Sequence, residues 1–184
     1  MLNIQQGRFS GVRQIDSPNH DARPDEQDIS LIVIHGISLP PGQYGGSYIE
    51  QLFTNTLNPQ DDPFFDEIKD LRVSAHCLIR RDGEIIQFVP LHQRAWHAGE
   101  SSYCGREACN DFSIGIELEG QDSEAYTQAQ YATLVDAVSA IQGAYDIPVD
   151  AIVGHCDIAP QRKTDPGPAF DWKFFKECLP NDPA

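Results

Sequence analysis

Residues 29–46 read ISLIVIHGISLPPGQYGG. The first seven form a β-branched run suited to a buried strand that ends at His35. The eleven residues from Gly36 onward hold two prolines and four glycines, which places a loop directly behind that strand. Strand-end loops carried on a rigid scaffold are where functional groups gather, so His35 becomes the first residue to watch.

Working outward, residues 1–28 are polar and rich in turn formers (SPNHDARPDEQD) and are expected to be an irregular lead-in on the surface. Downstream, Ser47 and Glu50 have the spacing of a capping box, and Ile49, Leu52, Phe53, Thr56 and Leu57 recur at helical spacing, predicting a helix over 48–57. The stretch LRVSAHCLIRRDGEIIQFVP (71–90) places two extended segments around an RDG turn, a hairpin pattern. DFSIGIELEG (111–120) alternates: Phe112, Ile114, Ile116 and Leu118 share one face, and Ser113, Gly115, Glu117 and Glu119 the other. Thr127 and Gln130 form a second capping-box pair, opening a pattern through Tyr131, Leu134, Val135, Val138, Ile141 and Tyr145 that predicts a helix of about 17 residues. The short strand DAIVG delivers His155, and a last helix starts at Asp171. This order implies an α/β (α+β) fold, a mixed central sheet flanked by helices, in a single domain spanning 1–184.

Thirteen Lys and Arg against 28 Asp and Glu leave a formal charge of −15, a field that repels nucleic acid and anionic membrane surfaces. Neither is expected as a partner; a small molecule and a monomeric state are. Lys69, Arg72, Arg80, Arg81, Arg94 and Arg106 cluster in one stretch, and Arg162 with Lys163 in another, leaving room for a local anion site. MLNIQQGRFSGVRQ lacks the apolar core of a secretory signal, and no run approaches the ~20 apolar residues of a membrane span, so a soluble cytoplasmic protein is expected. Cys77, Cys104, Cys109, Cys156 and Cys178 are odd in number and lack C-x-x-C spacing, which fits reduced thiols.

His35 and His155 each stand at the end of a strand with a loop behind it, which directs both imidazoles to one rim of a sheet. That placement suits Zn2+, whose catalytic sites take three protein ligands from His and carboxylate and keep one position open. It equally suits two core histidines capping strand ends. Asp165, Asp157 and Cys156 compete for the third position; Asp165 is favoured because Pro166 and Gly167 set a turn that can bring its carboxylate back over His155. Amide hydrolysis at such a site needs a base and a cationic oxyanion partner. Glu117 or Glu119 suits the first role and Lys163, tethered between His155 and Asp165, the second. Trp96 beside His97 offers a stacking wall for a sugar ring, and His76 lies mid-strand.

Five stretches carry a family resemblance over nearly the whole chain: IVIHGISLPPGQYGG (32–46), RVSAHCLIRRDGEIIQFVP (72–90), RAWHAG (94–99), CNDFSIGIELEG (109–120) and GHCDIAPQRKTDPGPAFDW (154–172). Together they resemble the zinc N-acetylmuramoyl-L-alanine amidases, relatives of the peptidoglycan recognition proteins. The resemblance implies zinc on His35, His155 and Asp165, Glu117 as acid/base and Lys163 on the oxyanion. It implies substrate contacts at Arg72 and His76, to which Trp96, His97 and Arg106 are added as candidates. The implied reaction is cleavage of the amide between (1,6-anhydro-)N-acetylmuramic acid and L-alanine in muropeptides recycled in the cytoplasm. Gly36 stands where the family carries Asn, and Ala108 where it carries Arg, which loosens the expectation for the sugar end. Two rivals are a zinc-free binding module, against which the full ligand set with Glu117 and Lys163 speaks, and a general zinc peptidase, whose H-E-x-x-H motif is absent.

Overall fold

The computed structural model describes residues 2–180. Its strands are β1 (Ile4–Gln5), β2 (Arg8–Phe9), β3 (Arg13–Gln14), β4 (His20–Asp21), β5 (Leu31–Ile37), β6 (Cys77–Ile79), β7 (Ile85–Gln87), β8 (Arg94–Ala95), β9 (Ser102–Tyr103), β10 (Arg106–Glu107), β11 (Ser113–Glu119) and β12 (Ile152–Gly154). The helices are α1 (Tyr48–Phe53), α2 (Phe65–Ile68), α3 (Gln128–Tyr145), α4 (His155–Ile158) and α5 (Trp172–Cys178). Six strands make one mixed sheet in the order β12-β5-β11-β6-β7-β3. β5 runs parallel to both β12 and β11, β11 parallel to β6, and β6 antiparallel to β7 through the expected RDG turn.

Helices cover both faces. On one, Leu134, Val138 and Ile141 of α3 and Phe175 of α5 pack against Ile32, Ile34, Ile114 and Ile116; each fully buried aliphatic chain of this kind contributes about 1.5–3 kcal/mol. On the other, Ile49, Leu52, Phe53 and Phe65 from α1 and α2 pack on Leu78, Ile86 and Phe88. A parallel sheet covered in this way buries both sides of its strands. That is why all seven residues of β11 are buried, although the alternation of their types points to a one-sided strand.

The Thr127–Gln130 capping box forms, with Thr127 Oγ1 accepting from Gln130 N at 3.1 Å, and α3 runs for 18 residues. Asp171 caps α5 through Phe174 N. Three expectations are corrected. The helix at 48–57 stops at Phe53, because Asn55 takes a left-handed conformation (φ 60°). The Ser47–Glu50 capping box does not form: the Ser47 hydroxyl accepts from Gln51 Nε2 at 2.9 Å, and the Glu50 carboxylate turns to Arg13 and Arg80. The lead-in 1–28 is not irregular: β1 pairs with β2, β3 joins the edge of the main sheet and β4 pairs with β8. Long-range bonds organise it, among them Gln87 Nε2 to Gly7 O at 3.0 Å and Ser17 N to Phe88 O at 3.1 Å.

All five cysteines are free thiols. No helix among the described residues is long and apolar enough to cross a membrane.

Candidate metal centre and acid/base site

The site is assembled at one end of the strand trio β12-β5-β11. His35 on β5 is in register with Glu117 on β11, so the two side chains stand next to each other on one face. On the other side of β5, Gly154 pairs with Ile34 and the chain turns into α4, whose first residue is His155. Asp165 comes back from the following loop. Its carbonyl accepts from Cys156 N at 2.9 Å, and the turn behind it needs Gly167, whose φ is 81° and where a Cβ would overlap the Asp122 backbone. The loop therefore folds over His155 as the Asp-Pro-Gly turn predicts.

Three atoms converge there. His35 Nδ1 lies 2.9 Å from His155 Nδ1 and 3.3 Å from Asp165 Oδ2, and His155 Nδ1 lies 3.1 Å from the same oxygen. Zinc bonds of about 2.0–2.1 Å in tetrahedral geometry put neighbouring donors roughly 3.3–3.4 Å apart, so these separations sit near one face of such a tetrahedron. The protonation of His155 supports the fit. Its Nε2 is 3.2 Å from Ala98 O, and a carbonyl can only accept, so Nε2 carries the hydrogen and Nδ1 presents a lone pair to the cluster. A cation is what such converging lone pairs and a carboxylate accommodate.

The electrostatics agree. Burial pulls His35 down to about 4, against the pull of Asp165, and so keeps it neutral and able to ligate. Glu117 is pushed well above the ordinary glutamate value, first by burial and then by Asp165, with Lys163 opposing. Glu117 Oε1 is 3.9 Å from His35 Nδ1, and Oε2 is buried with no hydrogen-bond partner. A buried unpaired carboxylate oxygen is costly to maintain and points to a proton-handling role.

Other assignments resolve by contact. Glu119, the alternative base, accepts from Gly45 N at 2.7 Å and Arg81 N at 3.1 Å and faces Arg80, so it is spent on structure. Asp157 Oδ2 takes Gly154 N at 2.7 Å, and Cys156 contributes its backbone to Asp165, so neither rival of Asp165 joins the cluster. Lys163 is partly exposed with no carboxylate bound to it among the described residues, within electrostatic reach of His35 and Glu117.

Of the expected substrate contacts, only His97 touches the cluster, with Nδ1 2.9 Å from His35 Nε2. His76 is corrected: it is fully buried, accepting from Gly115 N at 3.0 Å and donating through Nε2 to Gln93 O at 3.0 Å, with no open face for a ligand. Arg72 is exposed and bonds the carbonyls of Lys69 and Leu71. Trp96 donates its indole N–H to Asp21 at 3.2 Å. Arg106 covers the Phe112 ring at 3.7 Å and pairs with Asp28. The structure brings none of these three to the cluster. A cleft of about 760 Å³ is lined by residues including Gly99, Ser101, Ala108, Ile158 and Arg162; neither Arg106 nor any of the three converging donors lines it.

Sequence reading missed Tyr126 and Arg23. The Tyr126 hydroxyl donates to Pro166 O at 3.0 Å, next to Asp165, and fills the space a Cβ at Gly36 would enter. Arg23, buried in the supposed lead-in, donates to Ser113 O at 2.7 Å and reaches His76. The isolated Tyr before Thr127 and the lone Arg before Pro24 carried no periodic signal.

A mixed sheet with such a rim of His, His, Asp and Glu defines a hydrolase, and the chain belongs to the N-acetylmuramoyl-L-alanine amidase family, whose model matches residues 25–168. Within that family it is similar to the AmpD amidases. It is 60% identical over 173 residues to the 1,6-anhydro-N-acetylmuramyl-L-alanine amidase AmpD of Escherichia coli (strain K12), covering 94% of each chain. A crystal structure of a selenomethionine AmpD derivative superposes with a TM-score of 0.95 at 56% identity, covering 98% of this chain and 100% of that one. The E. coli amidase AmiD, in complex with anhydro-N-acetylmuramic acid-L-Ala-D-gamma-Glu-L-Lys, gives a TM-score of 0.61 at 30% identity over 96% of this chain and 65% of that chain.

Proposed function

We propose that this enzyme is a zinc-dependent amidase that hydrolyses the bond between the lactyl group of (1,6-anhydro-)N-acetylmuramic acid and L-alanine, in the recycling of muropeptides in the cytoplasm. The observation that carries it is the convergence of His35 Nδ1, His155 Nδ1 and Asp165 Oδ2 within 4.8 Å, beside the unpaired Glu117 Oε2. The names of the similar AmpD amidases support the anhydro sugar, and the absence of an H-E-x-x-H motif disfavours a general peptidase.

His35, His155 and Asp165 would hold the ion. Zinc bound there would supply Lewis acidity to the carbonyl and to water near neutrality. Glu117, with its raised proton affinity, takes the proton from the attacking water. The nucleophile adds to the lactyl carbonyl carbon, and the Lys163 ammonium meets the charge that builds on its oxygen. Glu117 then gives its proton to the nitrogen of L-alanine as the C–N bond breaks, leaving a free carboxylate on the sugar and a free peptide amine. Tyr126 keeps the Pro166 carbonyl, and with it the Asp165 turn, in place. The chain acts as a monomer on a small, released substrate.

The test is to strip the protein with a chelator, restore zinc, and assay an anhydro-muropeptide. Activity lost with the metal and recovered with it is expected; full turnover by protein shown to be zinc-free contradicts the proposal.

A further inference from the structure

His97 occupies a slot in the sheet that only glycine leaves open, since a Cβ at Gly115 would fall 2.5 Å from its Nδ1. Its two ring nitrogens are both engaged: Nδ1 lies 2.9 Å from His35 Nε2, and Nε2 lies 3.1 Å from Ser113 Oγ. Ser113 in turn donates to Cys109 O at 2.6 Å. These distances fix the hydrogens in order. The Cys109 carbonyl can only accept, so it takes the single hydroxyl hydrogen of Ser113. Ser113 Oγ therefore accepts from His97 Nε2–H, which leaves a lone pair on His97 Nδ1. That lone pair must receive the hydrogen of His35 Nε2, and so the lone pair of His35 is on Nδ1, facing His155 and Asp165.

We propose that His97 is a positioning residue of the metal centre: through Ser113 and the Cys109 carbonyl it fixes the tautomer and the orientation of His35. The adjacent residue serves the second histidine in the same way, Ala98 O accepting from His155 Nε2. Residues 97 and 98 are thus the outer partners of both imidazoles. Their own placement is secured by Asn110 Oδ1, which accepts from the backbone N–H of His97 at 3.1 Å and of Ala98 at 2.8 Å. Outer partners of this kind orient a ligating ring and raise its basicity. The role is separate from the substrate contact expected of His97 from the sequence, and it rests on the zinc reading above.

The experiment has two readouts that need no substrate. In metal-free protein labelled with ¹⁵N in its six histidines, long-range proton–nitrogen spectra report each tautomer; His35 and His97 are expected as Nε2–H forms. Zinc affinity is then measured by chelator competition. His97→Leu is expected to weaken zinc binding by about 10–100-fold. His97→Gln, whose amide oxygen can accept from His35, is expected to recover most of the loss, and Ser113→Ala to release the tautomer of His97 with a smaller effect on affinity. Unfolding curves of the metal-free variants separate misfolding from lost ligation; should His97→Leu not fold, Ser113→Ala and the wild-type tautomers decide. A wild-type His35 found as the Nδ1–H form, or a folded His97→Leu protein binding zinc within threefold of wild type, overturns the proposal. Wild-type protein that binds no zinc defeats the metal reading itself, while the His35 tautomer still judges the role of His97.

Discussion

Replacing Gly115 by alanine perturbs the site without touching any group assigned to chemistry. A Cβ there would lie 2.5 Å from Nδ1 and 2.7 Å from Cδ2 of His97. Against a favourable separation of about 3.5 Å, that is an overlap of roughly 1 Å with several ring atoms. Neither partner can yield cheaply. The Gly115 backbone is tied to His76, donating to Nδ1 at 3.0 Å and accepting from its N–H at 3.0 Å, and it lies between β5 and β6 in the sheet. The ring must therefore leave its slot and give up its bonds to His35 and Ser113. Overpacking costs about 1–3 kcal/mol and each of the two lost bonds about 0.5–1.5, so a loss of about 2–6 kcal/mol is expected. For a chain of this length that lowers Tm by about 4–24 °C, read by thermal or urea unfolding of metal-free protein. Gly143→Ala is the matched control, because Gly143 is exposed on α3 with nothing within 4 Å of its Cβ position; it should stabilise by about 0.5–1 kcal/mol. Gly115→Ala within 1 kcal/mol of wild type would show that the His97 slot is not tight and would refute the packing argument.

Glu117→Gln should cut turnover by about 10²–10⁴ while zinc affinity and Tm hold or rise, since it removes a buried unpaired carboxylate; near-normal turnover would remove Glu117 from the acid/base role. Lys163→Ala should lower kcat by about 10²–10³ with little change in KM, measured under saturating substrate; a change confined to KM would make Lys163 a binding group instead. Stability of the metal-free protein should depend on pH through His35 and His76, which burial depresses to about 4 and about 3. Both are neutral in either state above the unfolded value of 6.5, so their contribution to stability is fully present there. As pH falls below 6.5, the unfolded chain binds protons that the folded protein excludes, and stability declines by up to about 1.4 kcal/mol per pH unit per histidine until the folded values are reached. Urea midpoints that stay flat from pH 7 to 4.5 would contradict the buried neutral state.

The strand-end histidines were legible because local pattern places them: ISLIVIH and DAIVG are short apolar runs with turn-rich loops behind, and the sheet puts their ends side by side. Asp165 was only one of three choices on spacing, since a loop closes through contacts such as Tyr126 to Pro166 that lie 40 residues apart. Strand alternation gives Glu117 and Glu119 the same face, and what separates them is remote: Arg80, Arg81 and Gly45 engage Glu119 and leave Glu117 bare. His76 and His97 look alike as residues near motif centres. One is a core histidine held by Gly115 and Gln93, and the other holds a candidate ligand, a difference set by partners 39 and 62 residues away. The lead-in was misread for the same reason: its order comes from Gln87 and Phe88, not from any period of its own.

The most direct measurement follows the products of one reaction: zinc-loaded protein, and His155→Ala beside it, incubated with an anhydro-muropeptide and analysed by mass spectrometry. Release of the intact peptide with a free L-alanine amine, together with the anhydro sugar acid, by the wild type alone is the predicted result. No release from the zinc-loaded wild type, or equal release from His155→Ala, would contradict the account.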